Sequence, residues 1–467
     1  MNIVFVVPCI RPNLDKAYFP TGIAYVATAV QRAGYAFDII DIGAHRHSDA
    51  ELEALLLRKT YDVIATGTLV SGYKYVKQIA AIARKTSPGA CIVAGNSVAS
   101  AISEFLLSHT EVDVAVKGEG EITMVNILRA LERGESLGGV KGLVFKEGDT
   151  FIDTGYDEII GDVDAIPFPN WDLFDMELYL SKAMQDVPEP YPIAKDEISP
   201  FVVNTARGCP FRCTFCYHVF QYTNYRYRSA ASIFSEVKEL HKRYGINYVN
   251  FFDELTFFNK KQVEDFVAVA KESGMKFYWN ADIRSNLFTE EDMELLYDLK
   301  KCGCVSFGYS LESGSPEILK TMNKKLKVED FARQKRALDK AGIASFTSIV
   351  LGYPEETLET LKQTFDVCYD LDIYPSTGYL LPQPGTPMFE VAKEKGFADD
   401  FEQYLMKMGD RQDLRFNMTN IPDDELQEAV RGHLKRINDK MNLGFSDEQL
   451  VKTFTFVTSK ESTGNGN

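Results

Sequence analysis

Two stretches of this chain alternate short β-rich runs with helical-period segments, and that repetition limits the folds open to it. In the first stretch, Ile3–Val7, Ala36–Asp41, Tyr61–Thr66, Ala90–Ala94 and Asp113–Val116 read as strands. Pro20–Val30 carries Ile23, Val26, Ala27 and Val30 at a helical period, and Gly34 stops it. Strands spaced by helices are joined by crossovers, so they pair in parallel and are covered on both faces. The expectation is a five-stranded doubly wound domain whose ligand crevice lies outside the carboxyl ends of its strands. The second stretch begins at Phe201. Its strands are Phe201–Ala206, Tyr248–Phe252, Phe277–Ala281, Val305–Tyr309, Ser345–Val350 and Thr377–Leu381. Six strand–helix units predict a partial (β/α)6 barrel, its mouth lined by the residues that follow each strand.

Between the two lie a hairpin and a connector. Val140–Phe145 and Thr150–Asp153 flank a Gly148-Asp149 turn. Ile166–Pro200 is punctuated by prolines, carries no long periodicity, and reads as an inter-domain linker with a short helix over Asp175–Ala183. Beyond residue 390, Ile421 opens a helix with Leu426, Val430, Leu434, Ile437 and Met441 on one face. It reads as a packing helix placed where it could cover the barrel mouth. Ser459–Asn467 reads as a disordered tail. The expected boundaries are 1–139, 140–195, 196–390, 391–458 for a helical C-terminal region, and 459–467.

Composition removes several function classes. A formal charge of −16 repels phosphate backbones, and no Lys/Arg run offers a local exception, so nucleic acid is not expected as a partner. No run of apolar residues is long enough to span a membrane, and the N-terminus reads as a strand and not as a signal peptide. Eight cysteines, three of them clustered, do not resemble a secreted disulfide framework. The expectation is a cytoplasmic protein acting on a small-molecule or peptide substrate.

The chemistry concentrates in Arg207–His218, where Cys209, Cys213 and Cys216 stand as C-x-x-x-C-x-x-C in the loop after the first barrel strand. Three thiolates can hold three irons of a cubane cluster and leave the fourth iron open to a substrate. Zinc is the competing reading, but a structural zinc site takes four ligands, and His218 stands close after Cys216 for that role. After the other barrel strands come Asp253 and Glu254, Arg284, Glu312 and Ser313, Gly352-Tyr353-Pro354, and Pro384–Pro387. At the strand ends of the first domain, Cys9, Leu69, Ser71, Asn96, Ser97, Gly118 and Glu119 are the candidate contacts of a bound cofactor. No G-x-G-x-x-G follows its first strand, so a dinucleotide is not indicated.

The cysteine spacing, with Phe215 before the last thiol, resembles the signature of the radical S-adenosylmethionine (SAM) superfamily. Tyr225–Ser229, Phe252–Phe257, Gly308–Gly314, Gly352–Thr357 and Pro384–Pro387 resemble later segments of that family. Pro20–Tyr25 and Gly118–Glu121 resemble the cobalamin-binding domain that precedes many such cores. The chain departs from that domain in lacking D-x-H-x-x-G, so no histidine is set as a lower cobalt ligand, and Ala94–Val98 replaces a Gly-Gly-x-H-type loop. The resemblance implies a Rossmann-like cobalamin domain, a radical SAM barrel and three cofactors: a 4Fe–4S cluster on Cys209, Cys213 and Cys216, SAM, and cobalamin. It implies Asp253 or Glu254 near the SAM amino group, Arg284 on its carboxylate, Glu312 and Ser313 at the ribose, and Gly352, Tyr353 and Pro354 on the adenine. An electron donor such as flavodoxin or ferredoxin is implied with them.

The function implied by the resemblance is that of a cobalamin-dependent methyltransferase that uses SAM twice, as methyl source and as radical source. The alternative is a radical SAM enzyme of another reaction (cyclisation, dehydration or epimerisation) whose cobalamin domain is vestigial or carries no methyl. An RNA methylthiotransferase is disfavoured, because only Cys9 and Cys91 could serve a second cluster in the N-terminal domain. A non-catalytic cobalamin or metal sensor is disfavoured by the intact set of cysteines, Arg284 and Glu312. Cys91 and Cys368 read as core residues, Cys302-Gly303-Cys304 as too tight for a second cluster, and Cys9 as able to approach a corrin.

Overall fold

The computed structural model describes residues 1–451 apart from His218, Gln221 and the side chain of Asp186. The expected tail at 459–467 and the candidate zinc ligand His218 therefore lie outside the described residues.

The first domain holds strands β1 (Ile3–Val7), β2 (Asp38–Asp41), β3 (Val63–Gly67), β4 (Cys91–Gly95) and β5 (Val114–Val116) in the parallel order β2-β1-β3-β4-β5. Successive residues of β1 serve opposite faces, as the strand period requires. Ile3 and Phe5 pack under helices Thr21–Arg32 and Gly120–Arg133, while Val4 and Val6 pack toward Tyr73–Thr86 on the other side. The hairpin expected in the connecting segment belongs to this sheet. Strands β6 (Leu143–Glu147) and β7 (Thr150–Asp153) continue it antiparallel beyond β5, giving seven strands. Three-residue β5 would be an open edge without them.

The connector is packed into the protein and is no loose tether. Asp175 caps the helix Met176–Ala183, and Tyr179 Oη donates to Asp41 Oδ2 at 2.5 Å at the end of β2. Trp171 is 2 % exposed and joins the core of the second domain.

That domain is built on β8 (Pro200–Val203), β11 (Tyr248–Phe251), β12 (Tyr278–Asp282), β13 (Cys304–Gly308), β14 (Ala344–Phe346), β15 (Ser348–Leu351) and β16 (Ser376–Tyr379). A small antiparallel ribbon, β9 (Ala206–Arg207) with β10 (Arg226–Tyr227), closes the base of the cysteine loop. The ladder runs β14-β13-β12-β11-β8, all parallel, and β15 pairs separately with β16. The fifth expected strand is thus one run that breaks at Thr347 and changes ladder. Six parallel runs form an arc that stays open between β8 and β16.

The C-terminal region divides between the two domains. Helix Phe401–Lys407 lies against Tyr73–Thr86, where Tyr73 Oη donates to Glu402 at 2.7 Å. Helix Asp423–Met441 buries Leu426, Val430, Leu434 and Ile437 in the barrel core beside helix Leu358–Asp370. Its apolar face is spent on that packing, and it does not reach the barrel mouth. The segment Asp410–Gln412 does. Among the described residues, no helix is long and apolar enough to cross a membrane.

Candidate functional site

One cavity of about 710 Å³ opens at the barrel mouth. Its wall includes Cys209, Cys213 and Cys216, then Asp253, Glu254, Asp282, Arg284, Glu312 and Lys324 from later strand ends. The first domain contributes Arg11, Lys16 and Tyr18, and the connector contributes Gln185, Val187 and Pro188. Both alternating stretches therefore face a single volume, of the size that holds a small ligand.

The cysteine loop is held from below. Gly208, at φ +81°, turns the chain out of β9 where a side chain would be strained. Asp253 accepts from the backbone N–H of Thr205 at 2.8 Å and of Ala206 at 3.1 Å, and from the hydroxyl of Thr205 at 2.5 Å, fixing the chain between β8 and the loop. Thr214 donates its N–H to the Met322 carbonyl at 3.0 Å, and its hydroxyl meets Tyr353 Oη at 3.0 Å. Burial pushes the Cys216 thiol up to about 12, and neighbouring Cys213 and Cys209 add to that. Three thiols crowded into one loop are matched to a cationic centre, which reverses the electrostatics outright. Among the described residues no three His, Cys, Asp or Glu side chains are already drawn into ligating geometry. The donor set, one loop of three thiols, fits a cluster better than a four-ligand zinc site.

Arg284 lies beside this loop. Its guanidinium sits 3.7 Å from the Phe211 ring centroid, donates to the Lys324 carbonyl, and its Nε is buried with no partner. Burial lowers its pKa below the ordinary value, while Cys213, Cys209 and Glu312 pull the other way. Glu312 adopts φ +61° and pairs with Lys324 Nζ at 2.7 Å, both side chains nearly buried. Enclosure raises Glu254 to about 7, with Asp253 contributing, and Asp282 rises to about 7 for the same two reasons.

Not every expected residue reaches the cavity. Ser313 is fully buried, meets the Thr364 hydroxyl at 3.1 Å and supports Ser315. Gly352, Tyr353 and Pro354 lie outside the wall; Tyr353 packs beneath Phe215, and Gly352 donates its N–H to Glu356. Lys324 and Asp282 join the wall without having been expected there. Asp282 had a readable signal: Asn280 and Asp282 alternate with buried Trp279 and Ala281, so they share the inner face of β12.

At the first domain's strand ends the residues divide in the same way. Leu69 is 50 % and Ile10 37 % exposed beside Cys9 and Asn96, an open apolar surface. A Cβ on Gly67 would meet the Gly95 carbonyl at 2.7 Å, whereas one on Gly95 would meet nothing within 4 Å. This bare, partly apolar rim fits the edge of a flat macrocycle. Cys9 lies against the Arg46 guanidinium, and Ser71 is half-buried beside Leu69. Ser97 instead accepts from Val70 N–H at 2.8 Å and ties two loops together. Cys91 is half-buried, while Cys304 and Cys368 are buried.

Gly118 and Glu119 are engaged by the second domain. Arg207 Nη1 reaches Glu119 at 2.6 Å, Arg226 Nη1 reaches it at 3.0 Å, and Arg207 Nη2 also pairs with Glu121. Glu119 is 5 % exposed. A Cβ on Gly118 would strike the Tyr222 hydroxyl. The Gly-Glu-Gly-Glu turn thus grips the two arginines of the β9–β10 ribbon, at either end of the cysteine loop.

Fold and site together define a class: two-domain enzymes in which a three-thiol metal loop at the mouth of an open barrel faces a second, cofactor-carrying α/β domain. The Radical SAM superfamily model matches residues 203–368, and the B12 binding domain model matches residues 10–128. The chain thus carries a radical SAM domain preceded by a B12 binding domain. A 4Fe–4S cluster, SAM and cobalamin are the cofactors of that architecture. An uncharacterized methyltransferase of Pyrococcus horikoshii is 29% identical over 400 residues, 84% of this chain and 83% of its own. The anaerobic magnesium-protoporphyrin IX monomethyl ester cyclase of Cereibacter sphaeroides is 27% identical over 416 residues, 86% of this chain and 66% of the cyclase. The radical SAM methyltransferase TsrM from Kitasatospora setae, solved with cobalamin and a 4Fe–4S cluster, shares the fold at TM-score 0.66 and 18% identity, over 84% of this chain and 78% of its own.

Proposed function

We propose that this protein is a cobalamin-dependent radical SAM methyltransferase acting on an unactivated centre of a small-molecule or peptide substrate. The observation that carries the reading is the shared cavity, in which the three cysteines and first-domain residues Arg11, Lys16 and Tyr18 line one volume. When bound, the cluster supplies the electron that splits SAM and the cobalamin serves as methyl carrier.

The chain's own residues do the rest. Arg284 offers a buried, unpartnered Nε to the SAM carboxylate. Glu254 lies on the wall near the cysteines and suits the SAM amino group, whose charge would draw its raised pKa back down. Glu312, oriented by Lys324, presents carboxylate oxygens to ribose hydroxyls. Asp253 holds the strand before the loop. Ser313 and Gly352–Pro354 support the wall from behind. The strand-end rim at Cys9, Leu69, Ser71 and Asn96 receives the corrin, with Ser97, Gly118 and Glu119 holding the loops that form it. A reducing cytoplasm suits an iron–sulfur loop open to solvent.

The likeness to the cyclase favours a second reading, a radical SAM reaction without methyl transfer. Product analysis separates the two. Protein reconstituted anaerobically with cobalamin, SAM and a low-potential reductant is expected to form both 5′-deoxyadenosine and S-adenosylhomocysteine. Deoxyadenosine alone, from protein that retains cobalamin, contradicts the methyltransferase reading and supports the second.

A further inference from the structure

Behind the cysteine loop, on the outside of the barrel, the short helix Pro316–Thr321 and the loop after it form a shallow depression of about 220 Å³. Lys320, Lys325 and Lys327 line it and are exposed, and none of them pairs with a carboxylate among the described residues. Glu329 on its rim and Glu317 and Asp330 beside it are acidic, and Asp330 is paired with Arg333. A concentration of cations is conspicuous in a chain of net charge −16. Its backing matters more. Asn323 Nδ2 donates to the Arg212 carbonyl at 2.7 Å, and Thr214 hydrogen-bonds to Met322 and Thr321 at 3.0 and 3.1 Å. The loop carrying the lysines is therefore one hydrogen bond from the loop carrying the thiols. Asn323 and Lys325 both hold positive φ, 51° and 54°, so the loop has a set, strained shape.

We propose that this basic depression docks a small acidic ferredoxin, which delivers the electron to the cluster. The inference rests on the reading of the site as a reductively driven one. Positive charge meets the carrier's acidic surface and steers encounter. Docking there would bring the carrier against the loop that backs Cys213 and leave the barrel-mouth cavity free for substrate. One electron leaves the carrier, which is oxidised by one, and the cluster is reduced by one; no proton moves. Plant-type ferredoxins sit low enough in potential to serve as the source.

The test compares two reductants on the holoenzyme. SAM cleavage driven by reduced plant-type ferredoxin is measured beside cleavage driven by dithionite, for wild type, Lys320→Glu/Lys327→Glu and the milder Lys320→Gln/Lys327→Gln. The ferredoxin-driven rate is expected to fall about tenfold or more on charge reversal, less on neutralisation, and for wild type to fall with added salt. The dithionite-driven rate stays at the wild-type level. The proposal is overturned if the ferredoxin-driven rate survives charge reversal, or if both rates fall together in the folded Gln variant. Wild-type protein that cleaves SAM with neither reductant removes the underlying reading, and this proposal with it.

Discussion

Arg284 shows how one side chain is asked to serve two neighbours. It braces the loop after Met322 through the Lys324 carbonyl and lies flat on Phe211 of the cysteine loop, yet keeps Nε unpartnered in the buried wall. Arg284→Ala is expected to keep its iron and to weaken SAM binding by about tenfold to a hundredfold, since a charge-assisted pair contributes about 1.5–3 kcal/mol. Equilibrium binding of SAM to the reconstituted variant checks it, and unchanged affinity removes Arg284 from the site. This residue was legible from sequence because it directly follows a strand, as Glu254 and Glu312 follow theirs. Ser313 and Gly352–Pro354 follow strands too, but position in a loop does not say which side a residue faces. Lys324 was illegible for another reason: its partner Glu312 is twelve residues away across a helix, and no period connects them.

At the scale of elements, the strands of the two main sheets were legible, because each is a short apolar run bounded by turn residues, whereas the two-residue strands β9 and β10 each carry an arginine and were not. What patterning could not convey was pairing. The β6–β7 hairpin was read as a separate piece but extends the first sheet, since an edge partner is chosen by what needs covering. The break at Thr347 leaves no trace in composition. The Gly352–Thr357 loop after β15 carries a testable consequence. Burial raises Glu356 to about 7, against the backbone N–H bonds of Gly352 and Tyr353 that lower it, and its Oε1 has no partner. The folded state therefore keeps a proton that the unfolded chain has released, so this group's contribution falls as pH rises from about 4.5 to about 7. Glu356→Gln can still accept from Gly352 and does not titrate. Relative to wild type it is expected to gain stability with rising pH, by about 3 kcal/mol at pH 8 compared with pH 4. Denaturant midpoints at the two pH values measure this; a gain that is the same at both contradicts it.

Across the whole molecule, the contact between the domains is polar and buried. Glu119 faces Arg207 and Arg226, Glu121 faces Arg207, and Tyr222 stacks on Tyr156 with ring centroids 4.0 Å apart. The sequence suggested that Gly118 and Glu119 hold a cofactor; the geometry uses them to hold the cysteine loop against the strand ends of the first domain. Glu119→Ala leaves two buried guanidiniums without their shared carboxylate and should destabilise the protein by about 3–5 kcal/mol. Calorimetry of variant and wild type tests that, and an unchanged unfolding transition means the clasp is dispensable. The two alternations of strand and helix could be read from the sequence, but the division of the C-terminal region could not: helix Phe401–Lys407 packs on the first core and helix Asp423–Met441 on the second.

Cluster and cobalamin are expected on neighbouring sites, the cluster on the thiols of the barrel-mouth cavity and the cobalamin on the strand-end rim of the first domain, with no protein histidine on cobalt. The most direct measurement takes iron, sulfide and cobalamin together from one anaerobically reconstituted and desalted sample, with electron paramagnetic resonance of the reduced cobalamin. About four irons and about one cobalamin per chain are expected, with no nitrogen hyperfine splitting from an axial ligand, and loss of the iron alone when Cys209, Cys213 and Cys216 are replaced by Ala. Protein that loads its iron and cleaves SAM but retains no cobalamin, or retains it with a nitrogen ligand on cobalt, would overturn this assignment of the two sites.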